Sequence, residues 1–210
     1  MSTNSEKEAN LYVSEPDLLL DSYRLGRMVF DSGFRPSFIV GLWRGGSTVG
    51  IAVQECLQYL GVETDHISVR TSYTGVQSYS QMLEEPGKIR VHGLRYLYEN
   101  LNSEDNLLIV DDVFGSGSSV NAVIQRLRDK CRLNMPQNIK IAAPWFRDTP
   151  TAHHTRSETK RIQQPDYYVH QTSRWLVLPY ELSGLTEEEI VENKPDMAHI
   201  LQQIRPYLVN

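Results

Sequence analysis

The stretch Val110-Asp111-Asp112-Val113-Phe114-Gly115-Ser116-Gly117-Ser118-Ser119 holds the most chemically informative residues of the chain. Two adjacent carboxylates can accept hydrogen bonds from a sugar diol, and one of them can help hold Mg²⁺ directly or through water. Gly115 and Gly117 allow a tight backbone path that points successive amide N–H groups inward. Ser116, Ser118 and Ser119 add hydroxyl donors at what reads as a helix N-terminus. A nest of this kind holds a phosphate monoester, so sugar plus phosphate is the implied ligand. The alternative is a solvated turn whose two acids cap the helix. Four apolar residues, Leu107 to Val110, run directly into the acids and argue against coincidence.

The elements that must position this loop alternate along the chain. Pro16 and Asp17 can start a helix bearing Leu18, Leu19, Tyr23, Met28 and Val29, which Gly33 would end. Ser37 to Leu42 reads as a buried strand. Ser47-Thr48 can cap a second helix carrying Val49, Ala52, Val53, Cys56, Leu57 and Leu60, with Gly61 as its stop. A strand from His66 to Arg70 follows. Thr71 to Pro86 is rich in Ser, Tyr, Gly and Gln without helical period, the composition of a long functional loop. Leu107 to Val110 is the clearest strand. The helix beyond it has Val120, Val123, Ile124 and Leu127 at the spacing of one buried face. Ile139 to Ala143 is a further strand, and Asp166 to Leu178 reads as added β structure. Thr186 with Glu187-Glu188-Glu189 reads as a capped helix start. Strands separated by amphipathic helices predict an α/β fold: a mostly parallel sheet flanked by helices, with ligands at the carboxyl ends of its strands.

Composition narrows the partners. With 210 residues and 40% apolar content the chain is long enough for one sizeable core, so residues 1–210 are expected to form a single domain. A net charge of −5 argues against a nucleic-acid or anionic-membrane binder, whose affinity would rest on a clustered basic surface, and favours a small substrate. No run of about 18 apolar residues occurs, and the polar start lacks the layout of a signal peptide, so a cytoplasmic location is expected. Cys56 and Cys131 have no neighbouring cysteine for a zinc or redox pair and read as reduced core thiols. His153-His154 invites a metal reading, but adjacent histidines in a strand point to opposite faces, and a solvated loop fits better.

The loop at Asp111 to Ser119 resembles the loop that binds phosphoribosyl pyrophosphate (PRPP) in type I phosphoribosyltransferases: a hydrophobic run, two acids, two mostly apolar residues and a small-residue turn. The resemblance continues over most of the chain and is nearest to the hypoxanthine-guanine and xanthine-guanine branch. Gly41-Leu42-Trp43-Arg44-Gly45-Gly46 is similar to the family's diphosphate loop, often found beside a non-proline cis peptide. Arg70-Thr71-Ser72-Tyr73, followed by Gly87 to Val91, resembles the flexible catalytic loop and its returning strand, with Ser72 and Tyr73 at the start of the lid. Lys140 to Pro150 is similar to the segment that meets the exocyclic oxygen of the base, where Arg147 falls. Asp166 onward, with Trp175-Leu176 and Pro179-Tyr180-Glu181, resembles the hood that stacks an aromatic on a purine.

The resemblance implies a core over about 34–150 and a hood from about 151–185 plus the N-terminal segment. It implies transfer of the 5-phosphoribosyl group from PRPP to a purine, with Mg²⁺ as cofactor and a homodimer or homotetramer as the assembly. Asp111, Asp112 and Arg44 become the catalytic set. Arg44, Gly45, Asp111, Asp112, Val113, Phe114, Gly115, Ser116, Gly117, Ser118 and Ser119 would bind PRPP. Arg147, Trp175 and Leu176 would bind the base, and Asp112 and Glu181 the metal. From the residues alone several of these stay open: Arg44 could cap a strand, Trp175 could be ordinary packing and Glu181 a solvated charge.

One departure stands out. The 6-oxopurine branch places an aspartate three residues after the second acid, facing a ring nitrogen of the base, where this chain has Gly115. Hypoxanthine, guanine or xanthine is still expected over adenine, because Arg147 suits a keto oxygen better than an amino group. The alternatives are a PRPP-binding regulator with lost catalysis and a transferase acting on another nucleobase.

Overall fold

The structure is a computed structural model that describes residues 9–73, 89–150, 152, 162 and 164–204. The chain divides into two compact units, one of Pro16–Ser173 and one of Met1–Glu15 with Arg174–Asn210.

The larger unit is built on a seven-stranded sheet. Its strands are β2 (Phe38–Trp43), β3 (Asp65–Tyr73), β4 (Ile89–His92), β5 (Asn106–Val110), β6 (Val113–Phe114), β7 (Asn138–Arg147) and β8 (Tyr167–Thr172), β1 belonging to the smaller unit. The order is β4-β3-β2-β5-β7-β6, with β8 also paired to β7. Every pairing is parallel except β3 with β4, whose register sets Arg70 opposite His92 and Tyr73 opposite Ile89. An antiparallel edge pair on a parallel sheet is what a chain turning back on itself between neighbouring strands produces.

Strand period and helix period meet in one core. Val40, Leu42, Val69, Leu107 and Ile109 pack with Leu97 of α3 (Arg95–Asn100) and with Val120, Val123, Ile124 and Leu127 of α4 (Ser118–Cys131). The four α4 residues are the ones whose spacing predicts a buried face. Helices α1 (Glu15–Asp31) and α2 (Gly45–Tyr59) bury Leu18, Leu25 and Val29, and Val49, Ala52, Val53 and Leu57. They meet closely at Gly26, where a Cβ would lie 2.8 Å from that of Cys56. Both cysteines are free thiols, Cys131 in the core and Cys56 half-buried. Burial raises both above the usual thiol range.

Helix α2 begins before its expected cap. Ser47-Thr48 was the cap read from the sequence, whereas Arg44 occupies the N-cap and Gly45 and Gly46 form the first turn. Without a side chain Gly46 allows the helix to start flush against the end of β5, and Ser47 is carried inside, its Oγ without a described partner. Gly33 and Gly61 close their helices at φ 83° and 82°, a conformation that favours glycine.

In the smaller unit β1 (Leu11–Tyr12) pairs in parallel with β9 (Leu176–Val177), joining segments from the two ends of the chain. Thr186 caps α5 (Glu187–Asn193) with a capping box closed by Glu189, as the sequence predicts. The last helix among the described residues is α6 (Pro195–Ile204). Lys194 between them is buried and donates to the carbonyls of Leu178 and Pro179 at 2.7 and 2.9 Å. Of the segment expected to form a hood, β8 lies in the principal sheet, while β9 and residues 174–185 lie in the smaller unit.

Candidate active site

Strand β5 delivers Asp111 and Asp112 to the carboxyl edge of the sheet. The ladder with β7 continues one residue beyond the strand, the Asp111 N–H donating to Ala142 O at 3.0 Å, so the first acid is held by the sheet itself. The Asp112 N–H donates to Asp111 Oδ1 at 3.0 Å and the Val113 N–H to Asp112 Oδ1 at 2.8 Å. Each carboxylate is thereby aimed by the backbone of the residue that follows it. Part of the Asp111 surface is open to solvent, but the chain encloses its carboxyl group. Desolvation first, and the Asp112 charge second, hold that carboxyl well above the usual carboxylate range. A buried carboxyl group beside a second carboxylate forms a donor set that gains from a nearby cation.

The turn beyond them leads into α4. Gly117 is the N-cap of α4 at φ 69°, and a Cβ there would stand 2.9 Å from the Phe114 ring. Asn121 returns both its backbone N–H and its side-chain amide to Gly117 O, at 2.9 and 2.8 Å. Ser116 and Ser118 are buried and share a hydroxyl–hydroxyl hydrogen bond of 2.8 Å. This brings two hydroxyls together beside the N-terminus of a 14-residue helix, a donor set of the kind that can receive an anion.

A second loop meets the first. The Trp43–Arg44 peptide is cis, at the position where the resemblance expects one. Beyond it, a Cβ on Gly46 would fall 2.4 Å from Val110 O, 2.8 Å from Asp111 Cα and 3.2 Å from Asp111 Oδ1. The Arg44-Gly45-Gly46 turn therefore lies against the start of the acidic loop, at a distance only glycine permits. Gly46 appears in the motif read from the sequence but not among its expected contact residues. Pattern names the glycine, but only coordinates give what its missing side chain would strike.

Behind this turn sits a group that sequence reading missed. The His66 ring on β3 occupies the space left by Gly41 and Gly50; a Cβ on either would lie 3.0 and 2.8 Å from its Nε2. Gln54 Oε1 lies 3.2 Å from Nδ1, while Nε2 is buried without a described partner. Burial pulls its pKa below the usual value, against the opposing charge of Asp65.

The other expected site residues are spread over both units. Arg147 ends β7, buried, with Thr172 of β8 as its register partner. Its neighbour Trp145 stacks on His170, centroids 4.4 Å apart, and His170 in turn reaches the buried carboxylate of Asp21 at 2.8 Å. Ser72 Oγ lies 3.0 Å from His92 Nε2, and Tyr73 is the last residue of β3. The rest of the expected lid, like His153-His154, falls outside the described residues. Trp175, Leu176 and Glu181 belong to the smaller unit. There Trp175 O accepts from Leu11 N at 2.7 Å, Leu176 is buried, and Glu181 Oε2 accepts from Leu178 N at 3.1 Å. Among the described residues no group of three or more His, Cys, Asp and Glu side chains could cage a metal, and no helix is long and apolar enough to cross a membrane.

The sequence matches no protein-family model and no curated protein. Solved structures do match. A purine phosphoribosyltransferase from Pyrococcus horikoshii aligns over 84% of this chain and 97% of its own, at 20% identity and a TM-score of 0.56. A xanthine-guanine-hypoxanthine phosphoribosyltransferase from Helicobacter pylori aligns over 81% and 90%, at 14% identity and a TM-score of 0.54. The chain has the type I phosphoribosyltransferase fold. A hypothetical protein from Neisseria gonorrhoeae with bound ppGpp shares this fold with the chain over 91% and 96%, at 13% identity and a TM-score of 0.60. The resemblance read from the acidic loop and the α/β expectation are borne out at the level of the phosphoribosyltransferase fold.

Proposed function

We propose that this protein transfers the 5-phosphoribosyl group of PRPP to a purine base, hypoxanthine, guanine or xanthine in preference to adenine, releasing diphosphate. The observation that carries the reading is the contact made through Gly46, which sets the Arg44 turn against Asp111 at the mouth of the Gly115–Ser119 nest. A ligand with a 5-phosphate at one end and a diphosphate at the other end of a ribose matches that order of sites.

The nest binds the 5-phosphate through amides and hydroxyls, and Asp111 and Asp112 hold the ribose hydroxyls while favouring positive charge on the sugar. The anomeric C–O bond to diphosphate breaks, its electron pair leaving with diphosphate, as a base nitrogen forms the new C–N bond and the proton of that nitrogen passes to solvent water. No side chain forms a covalent intermediate. The acid pair fits Mg²⁺, which takes one or two carboxylates together with substrate oxygens, and Asp112 is the residue assigned to it here, with Glu181 a further candidate. Bound there, the ion supplies charge neutralisation to the leaving diphosphate. Arg44 is assigned the same task from the neighbouring turn. Arg147, Trp175 and Leu176 are assigned to the base, and Ser72 and Tyr73 to the start of a closing loop. A cytoplasmic homodimer or homotetramer accompanies this reading.

The test is a panel of nucleobases with PRPP and Mg²⁺, following diphosphate release. Turnover with an oxopurine is expected, and turnover confined to adenine or to a pyrimidine overturns the base assignment. Gly115 and the ppGpp-bound neighbour favour a second reading, a nucleotide-responsive regulator. Ligand binding with no turnover across the whole panel selects it.

A further inference from the structure

A lysine side chain is seldom buried, because its ammonium loses water that the interior must replace. Lys194, at the junction of α5 and α6, is 8% exposed. Both helices hold its backbone: its N–H donates to Ile190 O at 2.8 Å, and its carbonyl accepts from Ala198 N at 2.9 Å. The side chain runs from that junction to the segment after β9, where Nζ donates to Leu178 O at 2.7 Å and to Pro179 O at 2.9 Å. That segment also closes on itself. Glu181 N donates to Leu178 O at 3.0 Å, and Leu178 N donates to Glu181 Oε2 at 3.1 Å. Leu178 O therefore accepts from the Lys194 ammonium and from the Glu181 amide, so one cation sits on the bond that closes the turn. Just before the turn, Leu176 and Val177 pair with Leu11 and Tyr12 of β1, and Trp175 O accepts from Leu11 N at 2.7 Å. Strand β1 orients the segment on one side of Leu178 and Lys194 on the other. A neutral side chain of the same length would fill the space without holding the two carbonyls.

We propose, on the assignment of Trp175 and Leu176 to the base made above, that Lys194 is a positioning residue for the nucleobase, acting through the turn that follows them. It touches neither substrate itself. The loops assigned to PRPP belong to the larger unit, whereas Lys194 and the turn belong to the smaller one. Loss of the ammonium is therefore felt in affinity for the base rather than in affinity for PRPP.

The test joins steady-state kinetics to backbone amide exchange on the full chain, with Lys194→Met, which keeps the length of the side chain and has no donor. Its KM for an oxopurine rises at least about tenfold, as loss of a stacking contact would give, while kcat and the KM for PRPP at saturating Mg²⁺ stay within about twofold. The amides of Leu178 and Glu181 exchange faster than in the wild type. Equal changes in the two KM values overturn the proposal, as does an unchanged KM for the base or unaltered exchange at both amides. If Lys194→Met does not fold, Lys194→Gln, which keeps a shorter neutral donor, must show the same split, and its absence there overturns the proposal. A wild type inactive on every base fails the transfer reading and this proposal with it; an active wild type whose variant shows no split fails the proposal alone.

Discussion

At Asp111, burial and the neighbouring Asp112 charge both oppose ionisation, so the carboxyl costs the folded state stability whenever it is charged. Its folded pKa lies above the unfolded value. The contribution of the neutral form is therefore fully present below about pH 3.8 and lost as pH rises through the folded pKa. Asp111→Asn, which keeps an acceptor for the Asp112 N–H, should melt higher than wild type at pH 7 to 8 with metal chelated. That advantage should close as pH falls toward 4. Scanning calorimetry across this range decides it, and equal melting temperatures throughout would remove the claim that the site is destabilising. His66 behaves with the opposite sign. Burial lowers its pKa, so stability is present above its usual value of 6.5 and lost as pH falls below it. His66→Gln should flatten the loss of melting temperature between pH 7 and 5; an undiminished slope would show that the ring is not the group responsible. The two acids were legible in the sequence because adjacency is a pattern. The His66 environment was not, because Gly41 and Gly50 approach it from a different strand and a helix.

Element boundaries followed local rules wherever the local rule also served packing. Gly61 stops α2, Thr186 caps α5, and the stripe from Val120 to Leu127 faces the core, all as spacing implies. Strand β1 escaped because its partner β9 lies toward the opposite end of the chain, and the β structure expected over Asp166 to Leu178 gave no sign that its β8 would join β7 in parallel. The start of α2 escaped for another reason: a serine-threonine pair is a good local cap, but close approach to β5 favours Gly46 just before it. Gly46→Ala tests that account. A Cβ placed 2.4 Å from Val110 O forces α2 or β5 to move, a strain of about 1–3 kcal/mol, read as a lower denaturation midpoint. Because the displaced atoms belong to the Arg44 turn and to Asp111, the KM for PRPP should rise more than that for the base. Equal changes in both constants, or none, would separate Gly46 from the PRPP site.

For the molecule as a whole, linkage between ligand binding and stability separates phosphoribosyl transfer from PRPP binding alone. A ligand that binds only the folded state stabilises it by about 2.7 kcal/mol at a hundred times its Kd. For a chain of this size that corresponds to roughly 5–11 °C in Tm. PRPP with Mg²⁺ should produce such a shift in the wild type. Asp112→Asn should lose most of it, because the ribose contact and the assigned metal position go together, while its Tm without ligand changes little. Gly115→Asp should keep the PRPP shift if the nest tolerates the side chain, and should raise turnover with hypoxanthine or guanine if the missing base-facing carboxylate limits the rate. A wild type stabilised by PRPP but silent on every base, and awakened by Gly115→Asp, would make the chain a binder that lost its last catalytic group. Stabilisation retained in full by Asp112→Asn would show that PRPP binds somewhere other than the acidic loop, and both the transfer reaction and its regulator alternative would then have to be rebuilt around a different pocket.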